Sequence, residues 1–328
     1  VIDLIEGLTN APGEDSLART AVVHRAANVL RPPGALRRLD AIAAWLAAWQ
    51  RTDTPAVDNP ALLLAVADHG VAQRGVSALS PQATVAMVDA IRAGAATSTV
   101  IAASLGASLR LLDLGAGRPT DDISIADAMS HERFERAFDE GREAVATVST
   151  DLLLLGDLGI GSTTAASAVS LALFGGAAAD WVGPGSGLDA EGVARKVDVV
   201  ETAVARVGSV DPLEALRRLG GAEMAALAGA VFEARLRAIP VLLDGFVTTA
   251  AAAPLAALVS GALDHTMAGH RSTEPGHARL LELLFKQPLI DLEIRVGEGI
   301  GALVALPIVR ASAVAVSDVA TVDEWGLR

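Results

Sequence analysis

Ala61-Leu62-Leu63-Leu64-Ala65-Val66-Ala67 is an unbroken apolar run that closes on Asp68-His69-Gly70. A run this short, stopped by polar residues and glycine, reads as a strand buried on both faces, the kind found in parallel sheets. Polar residues at the carboxyl end of such a strand stand where open α/β sheets make their ligand contacts. The same arrangement recurs at 108–114, ending in Asp113-Leu114-Gly115, at 151–155, which runs into a Gly/Ser/Thr-rich turn, and at 239–243, ending in Asp244-Gly245.

Helical patterns fill the intervals. They are predicted from about Pro81 to Ala95, and over 98–105, 130–148, 164–173, 191–207, 211–219, 222–238 and 248–259, with an acidic loop at 116–128. A loop at 269–277, a helix to about Phe285 and a long Ala/Val-rich helix over 302–319 follow. Strand, polar tip and helix, repeated four times, predict an α/β fold: a largely parallel sheet with helices on both faces. Ahead of it, Leu17, Val22, Val23, Ala26 and Val29 recur at helical spacing, Arg31-Pro32-Pro33-Gly34 interrupts, and Leu36, Leu39, Ile42 and Leu46 resume the pattern. The expected division is a helical segment 1–55 packing with 300–328 as a small domain built from the chain termini, and a large α/β catalytic domain over 56–299.

Composition narrows the function classes. Hydrophobic residues make up 52% of the 328, yet aromatics only 3%, and Tyr is absent. A core of small side chains lets helices and strands approach closely, and the lack of rings argues against a base-stacking surface for nucleic acid. A net charge of -13 disfavours polyanions and anionic membranes as partners. A small anion remains admissible, because backbone N–H groups and one local cation can hold a phosphate. With no cysteine, thiolate catalysis, disulfides and Cys-ligated metals are excluded, and a cytoplasmic location is expected. The start at Val1-Ile2-Asp3 shows no signal-peptide pattern. The richest apolar stretch, 239–259, is interrupted by Pro240, Asp244, Gly245 and Pro254, so it is expected inside an α/β core and not across a bilayer.

Three segments could carry chemistry. Gly156-Asp157-Leu158-Gly159-Ile160-Gly161-Ser162-Thr163-Thr164 lies between a strand and a helix. It is either an anion-binding turn, with converging N–H groups and hydroxyls at a helix N-terminus, or a tight turn with an N-cap. Gly183-Pro184-Gly185-Ser186-Gly187-Leu188-Asp189 is a second glycine turn, with Lys196 one to two helical turns beyond; that lysine is either a phosphate contact or a solvent-facing cation. Gly297-Glu298-Gly299 is the third. Its carboxylate is either a general base or a surface residue in a turn, paired with Arg295. His69, His270 and His277 invite a metal, but their spacing matches no compact ligand set, so none is expected, and His69 reads equally well as a structural residue.

In order along the chain, these segments resemble the nicotinate-nucleotide:dimethylbenzimidazole phosphoribosyltransferase family of cobalamin biosynthesis. The resemblance runs through Arg31-Pro32-Pro33-Gly34-Ala35-Leu36, Ala67-Asp68-His69-Gly70-Val71-Ala72, Gly159-Ile160-Gly161, Gly187-Leu188-Asp189, Asp211-Pro212-Leu213-Glu214, 239–246, His270-Arg271-Ser272, Glu274-Pro275-Gly276-His277 and Gly297-Glu298-Gly299. It implies a Rossmann-like sheet, a homodimer, and phosphoribosyl transfer from nicotinate mononucleotide to 5,6-dimethylbenzimidazole with inversion and without metal or other cofactor. Glu298 would be the general base, with Asp157 as second catalytic acid residue. Gly159, Gly161, Ser162, Thr163, Gly185, Ser186, Gly187, Lys196, Ser272 and Gly297 are expected around phosphate and ribose. Asp68, His69, Ser80, Val88 and Val296 are expected at the acceptor base. The chain departs from the family pattern where Asp157 replaces Glu, Ser162 replaces Asn, Pro184 stands where Arg is usual, Gln82-Ala83-Thr84 stands for Glu-Val-Thr, and no Gly-Thr-x-Asn segment follows the second strand. A different azole, purine or phenolic acceptor, or a silent ligand-binding homologue, is the alternative these departures raise.

Overall fold

The computed structural model describes residues 2–80 and 82–327; Pro81, where a helix start is expected, and Val1 lie outside them. Among the described residues, five strands form one sheet: β1 (Pro60–Ala67), β2 (Ser108–Gly115), β3 (Leu152–Leu158), β4 (Val241–Leu243) and β5 (Thr266–Ala268). Their spatial order is β2-β1-β3-β4-β5, and every neighbouring pair is parallel. Parallel pairing needs a crossover between strands, and the helices supply it.

Two-sided burial explains the apolar runs of β1, β3 and β4, whereas β2, at the sheet edge, is only partly buried, contrary to the expected pattern. Along β1, Leu63, Ala65 and Ala67 face one core, whereas Leu62 faces a second, and Leu64 and Val66 a third. Residues of period two on opposite faces therefore all have to be apolar. Helices His131–Ala146, Ser162–Phe174, Ala222–Leu236 and Phe246–Leu258 cover the first face. Helices Arg37–Gln50, Ala83–Arg92, Thr97–Ser104 and Ile300–Ser317 cover the other.

Several boundaries differ from the expected ones. β3 extends to Leu158, so Gly156 and Asp157 belong to the strand and not to the turn. The following helix begins at Ser162, and helix Pro275–Leu283 starts inside the segment expected as loop. β5 is three residues long, too short for any periodic signal, and helix Ile2–Asn10 lies where the pattern predicts none.

Helices Ser16–Ala26, Arg37–Gln50 and Ile300–Ser317 bring the two ends of the chain together around Val22, Ala26, Ala43, Ala44, Ala47 and Val316. Arg25 Nε donates to the Val316 carbonyl at 2.8 Å, and Arg31 donates to the Ala315 carbonyl at 3.0 Å. The same last helix packs Ile300, Leu303 and Leu306 with Leu62, Leu152 and Leu154 of the sheet. It is long and apolar enough to cross a bilayer, and here that apolarity is taken up by two packing faces inside the protein.

Small residues set the spacing elsewhere. Helices His131–Ala146 and Ala222–Leu236 meet backbone to backbone: a Cβ on Gly141 would overlap the Ala226 carbonyl, and one on Gly229 would overlap the Phe138 carbonyl. Main chain cannot step aside as a side chain can. A Gly229→Ala variant should therefore lose about 1–3 kcal/mol, read as a lower urea midpoint with an unchanged slope.

Candidate active site

The strand order reverses between β1 and β3, since the chain leaves β1 toward β2 on one side and later places β3 on the other. A crevice opens at the carboxyl ends of strands at such a point. A cleft of about 890 Å³, counting its open mouth, lies there. Asp157, Gly159, Gly161, Ser162 and Thr163 line it from β3 and its turn, Asp244 and Phe246 from the end of β4, and His270, Ser272 and Glu274 from beyond β5. Gly185 and Ser186 add the second glycine turn, and Val76, Leu79, Met87, Ile294 and Val296 make an apolar wall.

Gly297 forms part of the lining, and Glu298 sits one residue inward. Gly297, Glu298 and Gly299 have φ of 71°, 58° and 75°, three successive left-handed residues, of which only the glycines adopt that region without strain. The loop lies directly on β3. A Cβ on Gly156 would come within 2.5 Å of the Gly299 nitrogen, and one on Gly299 would meet Leu62 at the same distance. Glu298 N–H donates to the Asp157 carbonyl at 2.9 Å. The Glu298 side chain is 5% exposed, and its Oε2 accepts from the Ser98 hydroxyl at 2.8 Å. The surface-turn alternative is thereby overturned: Glu298 is buried, and its carboxylate is bonded to Ser98. Nothing in the local sequence marks Ser98, a single hydroxyl 200 residues away.

Two further carboxyls stand close by. Asp244, at the end of β4, accepts from the N–H groups of Gly299 (3.2 Å) and Ala302 (3.0 Å). It therefore caps helix Ile300–Ser317 from another strand, which helps fix the Glu298 loop. Burial pushes its pKa up to about 7 against those hydrogen bonds, and the charge of Glu298 adds to the rise. Asp157 is raised well above its ordinary value, first by burial and then by Asp244 and Glu223, so its surroundings favour the neutral form. Asp244 stands at a strand end and Glu274 in a loop motif in the sequence, but their partners, the turn at Gly299 and the Gly185 N–H, appear only in the fold.

Lys196 is fully buried, which removes the solvent-facing alternative. Its Nζ donates to Thr163 Oγ1 at 2.8 Å and to the Gly183 carbonyl at 3.2 Å, beneath the lining. Burial brings its pKa down to about 8, with Glu274 opposing. Glu274 Oε1 accepts from Gly185 N–H at 2.9 Å, while its buried Oε2 has no hydrogen-bond partner among the described residues. Ser162 and Thr163 open helix Ser162–Phe174. Ser272 is pinned by His277, whose Nδ1 accepts from the Ser272 N–H at 3.0 Å and lies 2.9 Å from its hydroxyl. Burial lowers the His277 pKa to about 3. The ring is therefore neutral, and because Nδ1 accepts, its proton sits on Nε2, 3.2 Å from Thr249 Oγ1.

Four expected acceptor contacts do not reach the cleft. Asp68 Oδ2 accepts from Gly117 N–H at 2.7 Å and its carbonyl from Thr120 N–H, so it fastens the acidic loop over the end of β1. His69 Nε2 lies 2.9 Å from Glu223 Oε1, both residues buried, and its Cβ closes the space under Gly161. Val88 turns into the core with Leu64 and Val66, while Met87 lines the cleft; one helical step of about 100° separates the two faces. Ser80 is exposed and bonds Gln82. Gly187 is also outside the lining, whereas Val296 is in it. Among the described residues no group of three or more His, Asp or Glu side chains could hold a metal ion.

The profile of a family described as phosphoribosyltransferase matches residues 11–327. Nicotinate-nucleotide–dimethylbenzimidazole phosphoribosyltransferase of Methylorubrum extorquens is 47% identical over 97% of this chain and 93% of its own. The enzyme of that name from Rhizobium johnstonii is 46% identical over 98% and 95%. The crystal structure of CobT from Thermus thermophilus superposes with a TM-score of 0.90 at 37% identity, covering 94% of this chain and 98% of that one.

Neutral buried histidines make the fold acid-sensitive. His265, His270 and His277 are lowered by burial to about 3, 4 and 3. The unfolded chain therefore binds more protons below its ordinary histidine pKa, and stability present above about pH 6.5 is lost as the pH falls toward 4. Thermal midpoints should drop across that window, and His277→Gln should make the drop shallower.

Proposed function

The chain belongs to this phosphoribosyltransferase family, and on that premise we propose that it transfers the phosphoribosyl group of nicotinate mononucleotide to 5,6-dimethylbenzimidazole. Nicotinate leaves and α-ribazole 5'-phosphate forms. One nitrogen of the benzimidazole attacks the anomeric carbon from the face opposite nicotinate. The bond from that carbon to nicotinate breaks, its electron pair departing with the leaving group. The proton on the other nitrogen passes to Glu298. A single observation carries the assignment: a buried carboxylate, on a strained loop at the cleft wall, has one oxygen held by Ser98 and the other without a protein partner among the described residues.

The remaining contacts support the same reading. The apolar wall from Val76 to Val296 suits a flat hydrophobic base. Lys196, Ser162, Thr163 and Ser272, with the N–H groups of the two glycine turns, suit the phosphate and ribose. Positive charge develops on the ribose as nicotinate leaves. Asp244, titrating near neutrality, can face that charge, and Asp157 lines the same part of the cleft. A homodimer, as the family resemblance implies, in the cytoplasm, as the absence of cysteine suggests, completes the reading; sedimentation at twice the 33.4 kDa chain mass is the expected result.

Incubation with both substrates should release nicotinate and give the α-ribazole nucleotide, identified by mass and by its anomeric proton. Release of no nicotinate with any of a panel of benzimidazoles, purines and phenols would remove the reading. Glu298→Gln should lower kcat by about 10²–10⁴-fold, the range for a general base, with little change in KM. Lys196→Met should instead raise the KM for nicotinate mononucleotide about 10–100-fold, the worth of one charged hydrogen bond.

A further inference from the structure

We propose that Ser98 is a positioning residue for the reaction, holding the Glu298 carboxylate so that Oε1 alone is presented to the acceptor base. The inference rests on the proton-acceptor role given to Glu298 above. Ser98 stands in the first turn of helix Thr97–Ser104, fully buried, and its hydroxyl crosses to Glu298 Oε2 at 2.8 Å. Its neighbours behave differently. Thr99 and Ser104 return their hydroxyls to carbonyls of the same segment, Ala96 and Ile101. The Ser98 hydroxyl plays no part in capping, because the residue before the helix is Ala96 and no side chain caps it.

Glu298 needs such a restraint. Its backbone is fixed by Gly297, Gly299 and the bond to Asp157, but a Glu side chain has three further rotatable bonds. The groups around it pull in different directions: Asp157 on β3, Asp244 at the end of β4 with His270 3.8 Å from it, and Arg295 on its own loop. The hydrogen bond from Ser98 takes up one of its two oxygens. Without Ser98 the carboxylate would wander among its rotamers.

The test compares Ser98→Thr with Ser98→Val, side chains of nearly equal size that differ in the hydroxyl, alongside Ser98→Ala. The reading is kcat against KM with nicotinate mononucleotide and dimethylbenzimidazole. Ser98→Val and Ser98→Ala should lower kcat about tenfold, with the KM values kept. Ser98→Thr should restore kcat. A Val variant whose kcat matches the Thr variant overturns the inference, as does a fall in kcat accompanied by a rise in both KM values, which marks a purely structural role. Full activity of Glu298→Gln would instead strike at the functional reading on which this rests.

Discussion

The contact between the Gly297–Gly299 loop and β3 governs the rest of the molecule. Gly156 lacks a Cβ at the point where the Gly299 nitrogen crosses it, and Gly299 lacks one where Leu62 lies. Only that double absence lets Glu298 N–H reach the Asp157 carbonyl. Once the loop is seated, the start of helix Ile300–Ser317 is fixed, and Asp244 closes the open N–H groups of its first turn. The same helix then packs along the sheet and carries the N-terminal helices with it. A strained left-handed Glu persists in this position because so many neighbours determine its backbone.

The scarcity of aromatic residues follows the same logic. Where glycine and alanine face each other, as between helices His131–Ala146 and Ala222–Leu236, main chains come close and dispersion contacts are made by backbone as well as side chains. Tight layers leave little room to relax, so the strand ends present their polar residues on a rigid frame. That rigidity matters to the chemistry. Asp244 raises the pKa of Asp157 and Glu298 raises that of Asp244, and only a frame that cannot spread keeps such carboxyls together.

Much of this was legible in the chain. The apolar run at β1 reads as a strand buried on both sides, and three similar runs supply most of the remaining sheet. Glycines flanking Glu298 advertised an unusual backbone, although they left a catalyst and a turn equally open. Other features had no local signature. β5 is too short to show a period, and β3 hid its last residues in what reads as a glycine turn. Val88 and Met87 are adjacent apolar residues on one helix, and only the direction of the sheet decides which faces the cleft. Asp68 and His69 sit at a strand end as ligand contacts do, but the acidic loop and Glu223 claim them instead.

Patterning along the chain determines the class of fold and the segments able to carry chemistry, because burial, turn geometry and helix starts are local demands on residue type. The ordered series of motifs determines the family as well. Which side chains meet is a different matter. Ser98 with Glu298, Lys196 with Thr163, and Asp244 with the turn at Gly299 each join segments far apart in sequence. Their protonation follows from burial that no single segment creates. The tertiary structure alone decides those pairings, since a hydrogen bond or a desolvated charge depends on distances of a few ångströms that the packed sheet and helices impose.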